Sequence, residues 1–109
     1  MNTRAALIEY CLSLPGAYED YPFHDFNWTL MRHSGNRKSF AAIFEHLGQI
    51  WVNLKCEPDV AEFFRAAYPG LVLPAYHMDK RHWNSVIPGN GMPEADLRDM
   101  ILRSYELTK

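Results

Sequence analysis

Three runs of alternating residues joined by very short turns constrain this chain more than any other feature. Phe26–His33 sets Phe26, Trp28, Leu30 and Arg32 against Asn27, Thr29, Met31 and His33. Lys38–Glu45 follows the turn Ser34-Gly35-Asn36. Ile50–Lys55 follows His46-Leu47-Gly48-Gln49 and opposes Ile50, Val52 and Leu54 to Trp51, Asn53 and Lys55. A period of two bounded by turn residues predicts strands, and connections this short join only antiparallel neighbours. The middle of the chain is therefore expected to be a β-meander.

Helices flank it. Over residues 3–14, Leu7, Cys11 and Leu14 recur at helical spacing with Ile8 and Leu12 beside them; Thr3 stands as N-cap and Pro15-Gly16 as the stop. Ala17–Asp25, rich in aromatics and acids, reads as an ordered loop. A second helix is expected over Pro58–Tyr68, with Pro58 at its first position and Asp59 and Glu62 near its positive end. Val60, Phe63, Phe64 and Ala67 form its apolar stripe, and Pro69-Gly70 ends it. Residues 71–87 read as one or two further strands, His82–Ile87 and a short Leu71–Leu73, with Pro88-Gly89-Asn90-Gly91 as a turn. The last helix starts at Pro93, has Glu94 and Asp96 in its first turn, and turns Leu97, Met100, Ile101 and Tyr105 inward. The order α-β-β-β-α-β(β)-α predicts an α+β fold in one domain spanning 1–109: a two-layer arrangement of antiparallel sheet with helices on one face. The opposite sheet face is expected to be uncovered.

Composition narrows the function. With 109 residues, 48% of them hydrophobic and 14% aromatic, one core is feasible without staples. The net charge of −2 runs against the basic balance of nucleic-acid binders, so any such surface must be a local patch. Cys11 and Cys56 lie outside any CxxC spacing and read as buried free thiols. The first residues lack a long apolar run and carry Glu9, so neither a leader nor a membrane span is expected, and the cytoplasm follows by elimination.

Catalytic signatures are absent: the chain has no GxxxxGK[ST], GxGxxG or GxSxG. His24, His33 and His46 sit in separate elements, His77 and His82 are joined by a loop, and Glu19-Asp20 lies in a solvated segment. No enzyme activity, cofactor or metal is expected. Two cationic clusters do stand out. Arg32, His33, Arg37 and Lys38 bracket the first hairpin turn, and Lys80, Arg81 and His82 run into Trp83. Cations beside an aromatic ring can hold phosphate and stack a base. Solvated charges and a loop-anchoring Trp are the plainer reading, and both stay open on the residues alone.

Along nearly its whole length the chain resembles the MmcQ/YjbR family. The resemblance rests on Tyr10-Cys11-Leu12-Ser13-Leu14-Pro15-Gly16, Glu19-Asp20-Tyr21-Pro22-Phe23, Lys38-Ser39-Phe40-Ala41, Asn53-Leu54-Lys55-Cys56 and Tyr68-Pro69-Gly70, and on Ser104-Tyr105-Glu106-Leu107 in the tail. Above all it rests on Pro74-Ala75-Tyr76-His77-Met78-Asp79-Lys80-Arg81-His82-Trp83. It implies a CyaY-like, frataxin-like fold and a double-wing DNA-binding motif, with wings at Arg37-Lys38 and Lys80-Arg81. The frataxin likeness also raises iron, but an acidic ridge on the first helix would be required and only Glu9 stands there. The resulting expectation is a weak, salt-dependent DNA-binding protein without sequence specificity. Its contacts would be Arg32, Arg37, Lys38, Lys55, Lys80, Arg81, His82 and Trp83. The alternative is a non-catalytic protein- or small-ligand-binding module that uses the open sheet face through an apolar pocket near Trp51, Tyr76 and Trp83. No membrane partner is expected, and a monomer is the favoured state.

Overall fold

In a computed structural model that describes all 109 residues, the alternating segments form β2 (Thr29–His33), β3 (Ser39–His46) and β4 (Gln49–Lys55), paired antiparallel in chain order. They form the middle of a six-stranded antiparallel sheet of order β1-β2-β3-β4-β6-β5. Its outer members are β1 (Ala17–Asp20), β6 (Trp83–Val86) and β5 (Val72–Pro74). Helices α1 (Arg4–Leu12), α2 (Pro58–Ala67) and α3 (Glu94–Thr108) complete the fold, which is α+β as expected. No helix is long and apolar enough to cross a membrane.

The expected loop over Ala17–Asp25 is corrected, because its first four residues are the edge strand β1. Their half-exposed pattern holds no hydrophobic alternation, so nothing local announces a strand. Pairing with β2 recruits them instead, in the register Tyr18↔Arg32, and Asp20 forms an ion pair with Arg32 at 2.7 Å. Gly16 makes the entry turn at φ 72°. Strand β2 in turn begins at Thr29 rather than Phe26 because a side chain takes over the ladder. The Asn27 amide donates to Glu45 O at 2.9 Å, while its oxygen accepts the Glu45 N–H at 2.8 Å. From α1, Arg4 donates to Asn27 O at 2.8 Å and to Ile43 O at 3.1 Å, fixing the segment that leads into β2.

One cluster of buried residues lies between the helices and the sheet. Leu7 and Cys11 of α1, Phe64 of α2, and Leu97, Met100, Ile101 and Tyr105 of α3 meet Met31, Ile43, Val52, Leu54 and Val86. Each such large side chain contributes about 1.5–3 kcal/mol on burial. Thr3 caps α1 by accepting the Ala6 N–H at 3.2 Å, as its position predicts. The stripe expected on α2 is only half right. Phe64 and Ala61 are buried, but Phe63 is 65% exposed and Ala67 also faces outward. The helix meets the sheet beside its short edge strand, so part of its apolar surface finds no cover.

Two buried polar contacts lock α3 to the sheet. The Ser104 hydroxyl, fully buried, donates to Phe40 O and accepts the Lys55 N–H at 2.8 Å, bridging β3 and β4 where their ladder ends. His33 Nε2 lies 2.8 Å from the Thr108 hydroxyl, which itself donates to Ser104 O. That arrangement makes His33 Nε2 the donor. Burial holds the His33 pKa below its ordinary value. Burial also pushes the thiols of Cys11 and Cys56 up to about 12 and about 11, so both stay protonated near neutral pH.

Two outcomes follow. Ser104→Ala strands a buried N–H and a buried carbonyl and should lower unfolding free energy by about 1–3 kcal/mol in urea titration. Because the folded state holds the His33 proton less tightly than the unfolded chain, stability should fall as pH drops below about 6.5. His33→Asn should flatten that part of the profile, seen as a smaller change in denaturation midpoint between pH 7 and pH 5.

Candidate binding face

The sheet face away from the helices is not bare, which corrects the expectation of an open surface. Alternation sends Leu30, Ala42, Phe44, Trp51, Asn53 and Ser85 outward, in the cross-strand pairs Leu30↔Ala42, Phe44↔Trp51 and Asn53↔Ser85. Phe44 is wholly buried because two connecting segments lie over it. Trp28 stacks on its ring at 4.2 Å between centroids and Tyr76 at 5.7 Å. His46 stacks on Tyr76 in turn at 4.6 Å and meets Trp51 edge-on at 5.1 Å.

Hydrogen bonds seat the 75–82 segment on this face. Asn53, fully buried, donates from its amide to Tyr76 O at 2.8 Å. Ser85 donates to the Asn53 oxygen and accepts the Tyr76 N–H at 2.8 Å. Both polar backbone groups of Tyr76 are thereby satisfied by the sheet. Arg65 of α2 reaches over to donate to Asn84 at 2.7 Å and to Lys80 O. Within the segment, the Asp79 carboxylate accepts the Arg81 N–H at 3.0 Å and lies 2.8 Å from His82 Nδ1. The Arg81 N–H and the His82 ring hold the Asp79 pKa below the usual carboxylate range. His77 adopts φ 64°, a left-handed conformation that costs a non-glycine residue about 1–2 kcal/mol.

Between the two covering segments lies a groove of about 430 Å³. Phe23, Trp28, Leu30, Ala42 and Met78 supply its apolar lining, and Asp25, Ser39 and His77 its polar groups. The pocket expected near Trp51, Tyr76 and Trp83 is therefore displaced along the sheet. Trp51 is buried and Trp83 half-buried, so neither opens a cavity. Phe23, Trp28 and Met78 are not among the contact residues expected from sequence. The signal available was Leu30 and Ala42, two apolar residues on the outward side of strands whose inward side is already apolar.

The eight expected contact residues fall at one end of the sheet. Arg32 is the last residue but one of β2, Lys38 immediately precedes β3, and Lys55 ends β4 directly across from Trp83, where β6 begins. The connection 80–82 runs into that same end. Their charges are not equally free. Arg32 is held by Asp20 and donates to Arg37 O at 2.8 Å, Lys80 donates to Ala75 O at 2.9 Å, and His82 is held by Asp79. Arg37, Lys38, Lys55 and Arg81 form no ion pair. No group of three or more His, Cys, Asp or Glu side chains is placed to hold a metal ion.

The YjbR family model matches residues 12–107, nearly the whole chain. The chain belongs to the YjbR family. It is 32% identical to the uncharacterised protein YyaQ of Bacillus subtilis over the full length of both, and 28% identical to the uncharacterised protein YjbR of Escherichia coli K12 over 95% of this chain and 85% of that one. Among solved structures, a DUF419-domain protein of Deinococcus radiodurans superposes with a TM-score of 0.87 at 28% identity, covering 98% of this chain and 78% of its own. A Pseudomonas syringae protein superposes with a TM-score of 0.85 at 26% identity, covering 98% and 99%. The layout of sheet, helices and covering segments is thus a YjbR-family fold, and the relatives' names carry no activity.

The Asn53 contacts generate a test. Asn53→Ala should cost about 1–3 kcal/mol of stability by leaving Ser85 and Tyr76 O unsatisfied. Amide hydrogen exchange should quicken most at Tyr76 and through residues 77–82, with α3 still protected.

Proposed function

We propose that this protein is a non-catalytic module that binds single-stranded nucleic acid, DNA included, across the helix-free face of its sheet. The observation that carries the reading is the juxtaposition of an aromatic groove on the helix-free face with a row of cations at one end of the same sheet. Ser39 links the two, since it lines the groove and pairs in register with Arg32. One unstacked base would enter against Trp28 while Arg37, Lys38, Lys55 and Arg81 take successive phosphates. Stacking tolerates any base, so little sequence preference is expected. An intact duplex hides its base faces and would engage the cations alone.

A net charge of −2 keeps this binding weak and local. Four cations give a slope of log affinity against log salt of about −3 for a single strand. Lys55→Ala with Arg81→Ala should halve that slope in fluorescence-anisotropy titrations of a labelled oligothymidine. Trp28→Ala should weaken binding about tenfold while leaving the slope unchanged, because a stacked base contributes about 1–3 kcal/mol without moving counterions. Absence of binding at low salt would overturn the reading.

A second reading is favoured by the groove's own lining. Five apolar side chains with three polar ones suit a small flat ligand with a hydrogen-bonding edge, and the volume is within the range of ligand sites. If oligonucleotides fail but aromatic compounds alter Trp28 fluorescence, this alternative stands.

A further inference from the structure

On the opposite side of the molecule, the second helix leaves apolar surface that the core does not use. We propose that the groove between α2 and α3 docks a basic amphipathic peptide segment of a partner protein. The two helices run antiparallel and are bridged only near their ends. Tyr68, just past α2, donates to Asp96 in the first turn of α3, while Arg103, late in α3, faces Glu57 at 3.9 Å just before α2. Between the bridges is a gap of about 650 Å³. Val60, Phe63, Phe64 and Ala67 present apolar surface to it, and Phe63 stands 65% exposed with its ring edge-on to Phe64 at 5.5 Å.

Charge decides what can fill it. Asp59, Asp96 and Asp99 line the gap against one cation, Arg103, which is already held by Asp99 at 3.0 Å. Glu62, on the exposed side of α2, adds to the field. An anionic membrane or a nucleic acid would be repelled. An apolar side chain seated on Phe63 with Lys or Arg flanking it satisfies both the floor and the rim, which is how an amphipathic helix enters a groove. The site is independent of the aromatic groove, because the sheet lies between them.

The probe is a fluorescein-labelled Leu/Lys peptide of about four helical turns, apolar on one face. Its controls are a scrambled sequence and an analogue with Glu in place of Lys. The peptide should bind the intact protein, and amide shifts in its NMR spectrum should gather on α2 and α3. Phe63→Ser, a change at an exposed ring that keeps Phe64 in the core, should weaken binding at least about tenfold. Asp59→Lys should weaken it further at low salt than at high salt. Equal binding of the Glu analogue or the scrambled peptide, full affinity in Phe63→Ser, or shifts confined to the sheet face would each overturn the proposal. Sedimentation showing a dimer that Phe63→Ser dissociates would overturn it too, by making a second copy of this chain the occupant.

Discussion

Strand β3 is buried on both of its faces, with Phe40, Ala41, Ala42, Ile43 and Phe44 all sealed from solvent. In an antiparallel sheet with helices on one side, that is a demand for a second cover. Ile43 and Ala41 look toward α1 and α3, and Phe40 is bent toward Tyr105 and His33, near the irregularity in the β2–β3 register. Phe44 and Ala42 look the other way, where no helix lies. An aromatic ring left there in water would forgo a few kcal/mol of burial, so the chain spends two connections on covering it.

The cover sets what the outer face can do. A loop that merely drifted over Phe44 would offer no defined surface, but this one is fastened through the backbone of Tyr76 to Asn53 and Ser85. The rings of Trp28, Tyr76, His46 and Trp51 then form a continuous aromatic layer on the sheet, and the groove is the space that layer leaves. Binding surfaces built this way combine a rigid floor with loop-borne walls. The price appears as backbone strain at His77, next to the fastened residue.

Charge is segregated by the same architecture. Chain ends of β2 and β4 and the starts of β3 and β6 gather cations at one end of the sheet, whereas the helical side carries Asp59, Asp96 and Asp99 around an apolar gap. A sum of −2 hides both. Internal ion pairs reduce the basic cluster further, since Arg32 and Asp20 meet only because β1 is paired to β2. The cationic surface that remains is therefore smaller than a count of Lys and Arg suggests, since Arg32 is paired with Asp20 and Lys80 is turned back onto Ala75 O.

The meander, the three helices and most of the inward-facing residues were legible in the sequence, because periods of two and of 3.6 are local signals that need no knowledge of the fold. So were Thr3 as a cap and Leu97, Met100, Ile101 and Tyr105 as the buried stripe of α3. Strand β1 was not legible, since an edge strand of Ala, Tyr, Glu and Asp is defined by its partner rather than by its own pattern. Nor was the groove: its walls come from residues 23–28 and 77–78, far apart in sequence and brought together only because both cover Phe44. The orientation of α2 was equally hidden, as its apolar stripe is wider than the edge of the sheet it rests on, leaving Phe63 outside. Local periodicity determined which segments become helices and strands and which of their sides are apolar. Tertiary packing alone decided which apolar sides find cover, which charges find partners, and hence where this protein has surface left to bind.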